Sequence, residues 1–185
     1  KMKAPIELAG RRMVMTTSIG ISVFPEDGQH CEELLKHADL ALYQAKANGR
    51  NGLHFFNEQL KTQATVALQL EEELRNALRD NSGLLLYYQP IYDLRTGQVT
   101  KLEALIRWQH PTHGVLAPDR FIAIAEANGL IAELDNWVLR KACADLAELS
   151  QQGCDSLKIA VNCSPLNLAR PELADEIEQA LRSAG

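Results

Sequence analysis

The feature that most constrains the fold is a pair of strand patterns joined by a short turn near the middle of the chain. Residues 84–94 and 99–108 are rich in aliphatic, β-branched and aromatic side chains, and Arg95-Thr96-Gly97-Gln98 between them is typical of a turn. Strands that are joined by so short a turn must pair antiparallel. This segment therefore begins a sheet whose first two strands run in opposite directions.

Helical and strand patterns alternate after this pair. Helices are predicted at residues 118–128, 131–151 and 171–184, and a third strand is predicted at residues 157–163. This alternation is typical of an α/β sheet or barrel with parallel strands. A complete large barrel needs about 250 residues, so a chain of 185 residues cannot contain one.

A different arrangement is predicted upstream. Residues 7–8 and 13–23 read as the two arms of a hairpin around residues 9–11, and Pro25-Glu26-Asp27-Gly28 ends the second arm. Apolar residues at helical spacing predict a helix over residues 31–48, with Gly49 as its C-terminal cap. A short strand is predicted at residues 53–56.

One long helix is predicted between the two arrangements, over residues 57–80. Its apolar stripe and the Asn81-Ser82-Gly83 stop support this interpretation. At 1.5 Å per residue the helix would be about 36 Å long. It is either an ordinary packed helix or a lever that holds two domains apart and transmits rotation.

Charge and cysteine usage exclude several classes of protein. Residues 1–70 carry 8 basic and 7 acidic side chains, whereas residues 71–185 carry 11 and 17, a net charge of −6. An acidic half argues against a nucleic-acid polymer as partner, because such binding needs many lysine and arginine contacts to phosphates. The four cysteines match no paired metal-ligand spacing, which favours free thiols in a reducing cytoplasm.

The strand at 99–108 places three candidate functional residues on one face. Alternation puts Glu103, Leu105 and Arg107 on one side and apolar residues on the other. The carboxylate and guanidinium would lie about 13 Å apart along the strand, too far for one ion pair. A carboxylate can bind a divalent cation and an arginine can bind a phosphate, but two charges that face water explain the pattern equally well.

Two amide side chains and two cations have similarly open interpretations. Asn162 ends the strand at 157–163 and is either a metal ligand or a turn residue, and Gln89 beside Pro90 is equally ambiguous. Lys46 and Arg50 flank the C-terminal end of the helix at 31–48. There they either balance the helix dipole or bind a phosphate.

These motifs resemble two known domain families. Residues 1–56 resemble the C-terminal part of a GGDEF domain, through Thr17-Ser18-Ile19-Gly20-Ile21-Ser22, Ala38-Asp39-Leu40-Ala41-Leu42-Tyr43-Gln44-Ala45-Lys46 and Gly49-Arg50-Asn51. Residues 81–185 resemble the N-terminal part of an EAL domain, through Tyr88-Gln89-Pro90-Ile91, Glu103-Ala104-Leu105-Ile106-Arg107-Trp108 and Val161-Asn162-Cys163-Ser164. Residues 57–80 would form the linker helix.

The resemblance implies an α/β fold class, in which the end of a nucleotidyl-cyclase-like α+β domain precedes the first part of a (β/α)8-type barrel. It also implies cyclic di-GMP signalling, since GGDEF domains make this dinucleotide from two GTP molecules and EAL domains hydrolyse it to linear pGpG with two Mg2+ or Mn2+ ions. Glu103 would be the catalytic metal ligand and Asn162 a second ligand, while Gln89, Leu105 and Arg107 would bind the substrate.

In the GGDEF-like part, the resemblance implies that Lys46 and Arg50 contact the phosphates of a bound nucleotide such as GTP. The chain has no Gly-Gly pair, so the GGDEF signature is expected upstream of Lys1, and the remaining EAL acids and lysine are expected beyond Gly185. We therefore expect a segment of a longer cytoplasmic protein, with room for an inner-membrane anchor upstream. We also expect a homodimer through the EAL domain or linker helix, and no activity of the segment alone.

Three alternatives to a phosphodiesterase remain open at the level of sequence. The full-length protein could be a cyclic di-GMP receptor with a degenerate EAL domain that binds without cleaving. It could be mainly a diguanylate cyclase. A structural dimerisation module around residues 57–80 is the third, and it leaves the charged strand face at Glu103 and Arg107 unexplained.

Overall fold

A computed structural model describes residues 6–8 and 10–184. The chain divides into two compact units, Lys1–Leu68 and Gln69–Gly185. Both predicted arrangements are present as mixed α and β structure, one in each unit. Among the described helices, none combines the length and the apolar character that a membrane crossing requires.

The first unit contains a hairpin and a separate pair of parallel strands. Strands β1 (Ile6–Leu8) and β2 (Arg11–Met13) pair antiparallel. The predicted second arm at residues 13–23 was wrong, because β2 ends at Met13 and β3 (Ile19–Ile21) pairs in parallel with β4 (Leu53–Phe55). A parallel partner requires a crossover, and here helix α1 (Cys31–Ala47) supplies it between β3 and β4.

Helix α1 lies so close to β3 that only glycine fits at position 20. A Cβ atom there would lie against the backbone oxygen of Ala38 and the backbone nitrogen of Leu42, well inside van der Waals contact. The glycine of the motif is thus explained by the packing of helix on strand.

The end of α1 confirms the predicted cap. Gly49 has φ +95°, and the amide of Arg50 donates to the carbonyl of Ala45 at 3.1 Å. The amide of Asn48 donates to the carbonyl of Gln44 at 2.9 Å. A left-handed residue that allows the chain to fold back onto the last turn is the expected ending for a helix followed by glycine.

The core of the first unit brings α1 together with the residues after β4. Ala41, Phe56 and Leu60 are buried against one another. His37 is 4% exposed, stacks on Phe56 with ring centroids 3.9 Å apart, and places Nδ1 2.5 Å from the carbonyl of Asp27. This histidine therefore has a structural role in the core.

Helix α2 (Glu58–Arg79) has 22 residues and is about 33 Å long. It ends as the Asn81-Ser82-Gly83 sequence predicts, with Asn81 at φ +48° and the Ser82 amide donating to the carbonyl of Ala77 at 2.9 Å. The boundary between the two units falls inside this helix. Its role as a linker or lever remains a prediction.

The second unit is built on a four-stranded sheet with β6 at its centre. Strand β5 (Leu84–Tyr92) pairs antiparallel with β6 (Val99–His110), as predicted from the short turn. Strand β8 (Lys158–Val161) pairs in parallel with the first part of β6, which confirms the predicted α/β character. Strand β7 (Gly114–Leu116) pairs antiparallel with the end of β6 and was not predicted.

Helices cover one face of this sheet. Their bounds are α3 (Ile122–Ala127), α4 (Ile131–Gln151), α5 (Pro165–Leu168) and α6 (Leu173–Ala184), with a short 3-10 turn at Pro118–Arg120. The single helix predicted at 118–128 is broken at Phe121, whose φ of −135° and ψ of −19° are not helical. Phe121 is fully buried and packs edge-on against Trp108, with ring centroids 5.7 Å apart, so packing overrides helical continuity.

His110 ties the end of β6 to α2 within this second unit. Its Nδ1 accepts from the backbone amides of Thr112 at 3.2 Å and His113 at 3.3 Å. The proton is therefore on Nε2, which donates to Glu73 at 2.8 Å. The ring is 1% exposed, so this bond joins the helix to the sheet from inside the core.

Candidate functional site

The predicted functional side chains lie along one face of the β5–β6 pair. In the antiparallel register Gln89 lies opposite Glu103, Tyr87 opposite Leu105, and residue 85 opposite Arg107. Directly opposed residues project their side chains on the same side of a sheet. Glu103, Leu105 and Arg107 therefore share a face, as the alternation along the strand predicts, and Gln89 lies on the same face.

Asn162 reaches the same face from β8. Ala160 lies opposite Glu103 in the parallel pairing, and Asn162 follows two residues later, so it projects on the same side. Its Nδ2 donates to Oε1 of Glu103 at 3.0 Å. Two residues that are 59 positions apart in sequence thus meet at one point of the sheet.

The chemistry of this pair suits a hard divalent cation. Carboxylate and amide oxygens are ligands that Mg2+, Mn2+ and Ca2+ accept. Asn162 is exposed and Glu103 is half-buried, so both are open to an arriving ion. Rotation of the Asn162 amide would direct its oxygen, in place of its nitrogen, toward the space beside Glu103. Within residues 6–8 and 10–184, no group of three or more His, Cys, Asp or Glu side chains is arranged for a metal.

Arg107 is held by an aromatic ring. Its guanidinium carbon lies 5.5 Å from the centroid of the Tyr87 ring, and Nη1 donates to the carbonyl of Ile106 at 2.7 Å. No ion pair of Arg107 occurs in the described part of the chain. The stacked guanidinium has N–H donors left over, and such a group can bind a phosphate.

The remaining predicted substrate residues flank these groups. Gln89 is exposed at the far end of the face and Leu105 is half-buried between Glu103 and Arg107. The sequence analysis did not single out Tyr87, which shares this face because it lies two residues before Gln89 on β5.

A second residue that the sequence analysis missed is Asp135 on α4. Its Oδ2 accepts from the backbone amide of Ser164 at 3.0 Å, close to the thiol of Cys163. Burial raises the pKa of the Cys163 thiol, and the Asp135 carboxylate raises it further. Nothing in the local sequence around Asp135 indicates this contact, because it depends on how α4 packs.

On the opposite face of the sheet, Tyr88 donates to Oδ2 of Asp145 at 2.6 Å. Burial raises the pKa of Tyr88 well above its ordinary value, and the bond to the Asp145 carboxylate adds to this shift. Lys141 donates to the other oxygen of Asp145 at 2.5 Å. These groups secure α4 to β5 and are separate from the site face.

Lys46 and Arg50 lie in the first unit, at the C-terminal end of α1 as predicted. Both side chains are exposed, and Arg50 has φ +60°. The position fits the dipole interpretation, since a cation is favoured at a helix C-terminus. Their contact with a nucleotide phosphate remains a prediction.

Comparisons with known proteins agree with this arrangement. The family model for the EAL domain matches residues 71–185, and the model for the diguanylate cyclase GGDEF domain matches residues 1–52. The cyclic di-GMP phosphodiesterase NbdA of Pseudomonas aeruginosa is 58% identical over 185 residues, which is 100% of this chain and 24% of NbdA. The bifunctional diguanylate cyclase/cyclic di-GMP phosphodiesterase MucR of the same organism is 39% identical over 98% of this chain and 26% of MucR.

Two solved structures are also similar to this chain. A MucR phosphodiesterase in complex with cyclic di-GMP matches 63% of this chain and 47% of that chain, with a TM-score of 0.60 and 39% identity. The EAL domain of FimX from Xanthomonas citri, in complex with cyclic di-GMP, matches 68% of this chain and 47% of that chain, with a TM-score of 0.58 and 29% identity.

The chain spans about a quarter of the length of the curated relatives that it matches. The two family matches occur in the order that the sequence predicts, and together they cover most of the chain. The chain therefore belongs to the EAL domain family, with its EAL segment at residues 71–185 preceded by a GGDEF segment at residues 1–52.

Proposed function

We propose that the full-length protein hydrolyses cyclic di-GMP to linear pGpG in a metal-dependent reaction at the face that carries Glu103. The observation that carries this proposal is the 3.0 Å contact between Asn162 and Glu103, which brings a carboxylate and an amide from two strands to one point. Gln89 lies opposite Glu103, and Arg107 lies further along the same face.

In this proposal Glu103 and Asn162 hold Mg2+ or Mn2+ together with other ligands of the full-length protein. When bound, a pair of such ions lowers the pKa of a water and offsets the charge that develops on the phosphodiester. The other side chains of the face bind and orient the substrate. Arg107, oriented by Tyr87, binds a phosphate of the dinucleotide, while Gln89 and Leu105 contact the substrate beside the metal ligands.

Cyclic di-GMP as the ligand is supported by relatives. MucR and the FimX EAL domain both have solved complexes with it, and NbdA carries the name of a cyclic di-GMP phosphodiesterase. Cyclic di-GMP carries two negative charges, and the EAL segment is itself acidic. The bound cations and Arg107 of the proposed site would neutralise the charge of the substrate.

The proposal also covers nucleotide binding by the first unit, the oligomeric state and the cellular compartment. Lys46 and Arg50 would contact the phosphates of GTP or another nucleotide, and a homodimer would form through the EAL domain or α2. Four free cysteines, two of them exposed, are in keeping with the reducing cytoplasm.

Replacement of Glu103 tests the proposal. Glu103→Gln keeps the size of the side chain but removes the charge that a divalent cation needs, so pGpG formation by the purified full-length protein with Mn2+ should be abolished. The matched control is Glu133→Gln, an exposed position on α4. Chromatographic measurement of pGpG checks both variants. Wild-type turnover in Glu103→Gln would refute the assigned site.

A second candidate is a cyclic di-GMP receptor that binds without cleaving. Arg107 and Gln89 favour it, because neither side chain needs a metal ion to contact a phosphate or a base. The same experiment separates the two functions. A wild-type protein that binds cyclic di-GMP in an equilibrium titration but forms no pGpG with Mg2+ or Mn2+ is a receptor.

A further inference from the structure

Asn162 is exposed, and among the described residues its side chain donates to Glu103. The side chain of asparagine is short, so the position of the Asn162 amide is set mainly by the backbone that carries it. That backbone continues through Cys163 and Ser164 into α5, so the contacts that fix these residues also fix Asn162.

One carboxylate oxygen holds this turn. Oδ2 of Asp135 accepts from the backbone amide of Ser164 at 3.0 Å and from Nδ2 of Asn167 at 3.1 Å, and the thiol of Cys163 lies 3.5 Å away. Three donors from the turn after β8 thus converge on one atom of α4. Hydrogen bonds to a charged acceptor are stronger than those between neutral groups.

The Ser164 hydroxyl in the turn also has hydrogen-bond partners. Ser164 Oγ donates to Glu126 at 2.8 Å and accepts from the Leu166 amide at 3.3 Å, which caps α5. This gives the turn a second attachment to the helices that cover the sheet.

Asn167 extends the connection toward α6. It is fully buried, and its Oδ1 accepts from Arg170, which in turn pairs with Glu176 at 2.9 Å. Asp135 is therefore the point at which a continuous polar network meets the residues next to Asn162.

Asp135 is a positioning residue and not a catalytic one, since its described contacts are with the turn. We propose that Asp135 sets the position of Asn162 for metal binding by fixing the turn from Cys163 to Asn167. This inference rests on the proposed function in one respect, the assignment of Asn162 as a metal ligand. Its prediction concerns metal affinity, which is measured without substrate or turnover.

The test is a Mn2+ titration of the full-length protein, followed by electron paramagnetic resonance of the free ion. Asp135→Asn keeps the size of the side chain and removes its charge, and it should weaken Mn2+ binding about tenfold to a hundredfold, the range for residues that orient metal ligands. Asp135→Glu keeps the charge and should recover part of the affinity.

Asp145→Asn is the matched control. Asp145 lies on the same helix, and its side-chain hydrogen bonds in the described part of the chain come from Tyr88 and Lys141 and not from the turn. Its Mn2+ affinity should equal that of the wild type. Tryptophan fluorescence checks for each variant that the second unit is folded, since Trp108 is buried there and Trp137 lies in the same unit.

A double mutant separates positioning from a general effect on the fold. In an Asn162→Ala background, Asp135→Asn should cause no further loss of Mn2+ affinity, because the residue through which it acts is gone. An equal loss in both backgrounds, or wild-type affinity of Asp135→Asn alone, would overturn the inference. Absence of Mn2+ binding by the wild type would also overturn it.

The two proposals fail differently. A wild-type protein that forms no pGpG, but whose Mn2+ affinity depends on Asp135 through Asn162, contradicts the proposed hydrolysis and supports the positioning role. Normal hydrolysis with Mn2+ affinity that is insensitive to Asp135 contradicts the positioning role alone.

Discussion

Removal of the Glu73 carboxylate should destabilise the second unit through His110. The imidazole is 1% exposed, and two backbone amides occupy its Nδ1, so the proton on Nε2 has Glu73 as its acceptor at 2.8 Å. In Glu73→Ala this buried donor loses its partner. The ring cannot change tautomer without placing a proton against the two amides.

The magnitude follows from the environment of the bond. An unsatisfied buried donor costs about 1–3 kcal/mol of unfolding free energy. The Glu73 side chain is 46% exposed, so water can enter part of the space it leaves and accept the proton. We therefore expect a loss near the lower end, about 1 kcal/mol, and a smaller loss in Glu73→Gln, which keeps an acceptor oxygen.

Urea unfolding of the full-length protein, followed by tryptophan fluorescence, measures this loss. Trp108 is buried, and its ring centroid lies 4.8 Å from that of His110, so it reports on this region. Glu72→Ala is the control, because Glu72 is an exposed neighbour on α2 and the change in helix propensity is the same. Equal unfolding free energies for Glu73→Ala and Glu72→Ala would refute the reasoning.

Three further changes test other parts of the structure. Gly20→Ala should destabilise the first unit by about 1–3 kcal/mol, because the new Cβ atom overlaps the backbone of α1. Gly52→Ala is the control, because the nearest non-neighbouring atom lies 3.7 Å from the new Cβ atom. In thermal unfolding, Gly52→Ala should lower the stability less than Gly20→Ala does. The raised pKa of Tyr88 contributes stability that is present below the pKa of an unfolded tyrosine, about 10, and is lost as the pH rises further. The stability advantage of the wild type over Tyr88→Phe in urea should therefore be constant below about pH 9 and shrink as the pH rises above about 10. Arg107→Lys should keep the Mn2+ affinity of the wild type and weaken cyclic di-GMP binding about tenfold, as measured in an equilibrium titration. A lysine lacks the planar guanidinium that lies over the Tyr87 ring, and the complex would lose about one charge-assisted hydrogen bond.

Local patterns predicted most of the helices and strands, since these depend on neighbouring residues. The turn at residues 95–98 is enough to make β5 and β6 antiparallel, and alternation is enough to put Glu103 and Arg107 on one face. The errors occur where packing decides. Phe121 interrupts a helical pattern because its ring is buried against Trp108, and β3 leaves the predicted hairpin because its partner, β4, lies more than 30 residues later.

In the site, too, the identity of the candidate residues follows from local sequence, whereas their contacts depend on residues far away in the chain. Glu103 and Asn162 were each identified as candidate ligands from their own strands, but their contact depends on the parallel register of β6 and β8. Asp135 could not be found in the sequence, because its partner Ser164 is 29 positions away and the contact depends on the rotation of α4 about its axis.

The most direct test of the central claim is a crystal structure of the full-length protein with Mn2+, in which anomalous scattering locates the ion. We expect a peak about 2.0–2.3 Å from a carboxylate oxygen of Glu103 and from Oδ1 of Asn162, with the amide of Asn162 rotated away from the hydrogen bond that it donates now. A Mn2+ ion bound elsewhere, with Nδ2 of Asn162 still donating to Glu103, would contradict the claim that these two residues form the metal site.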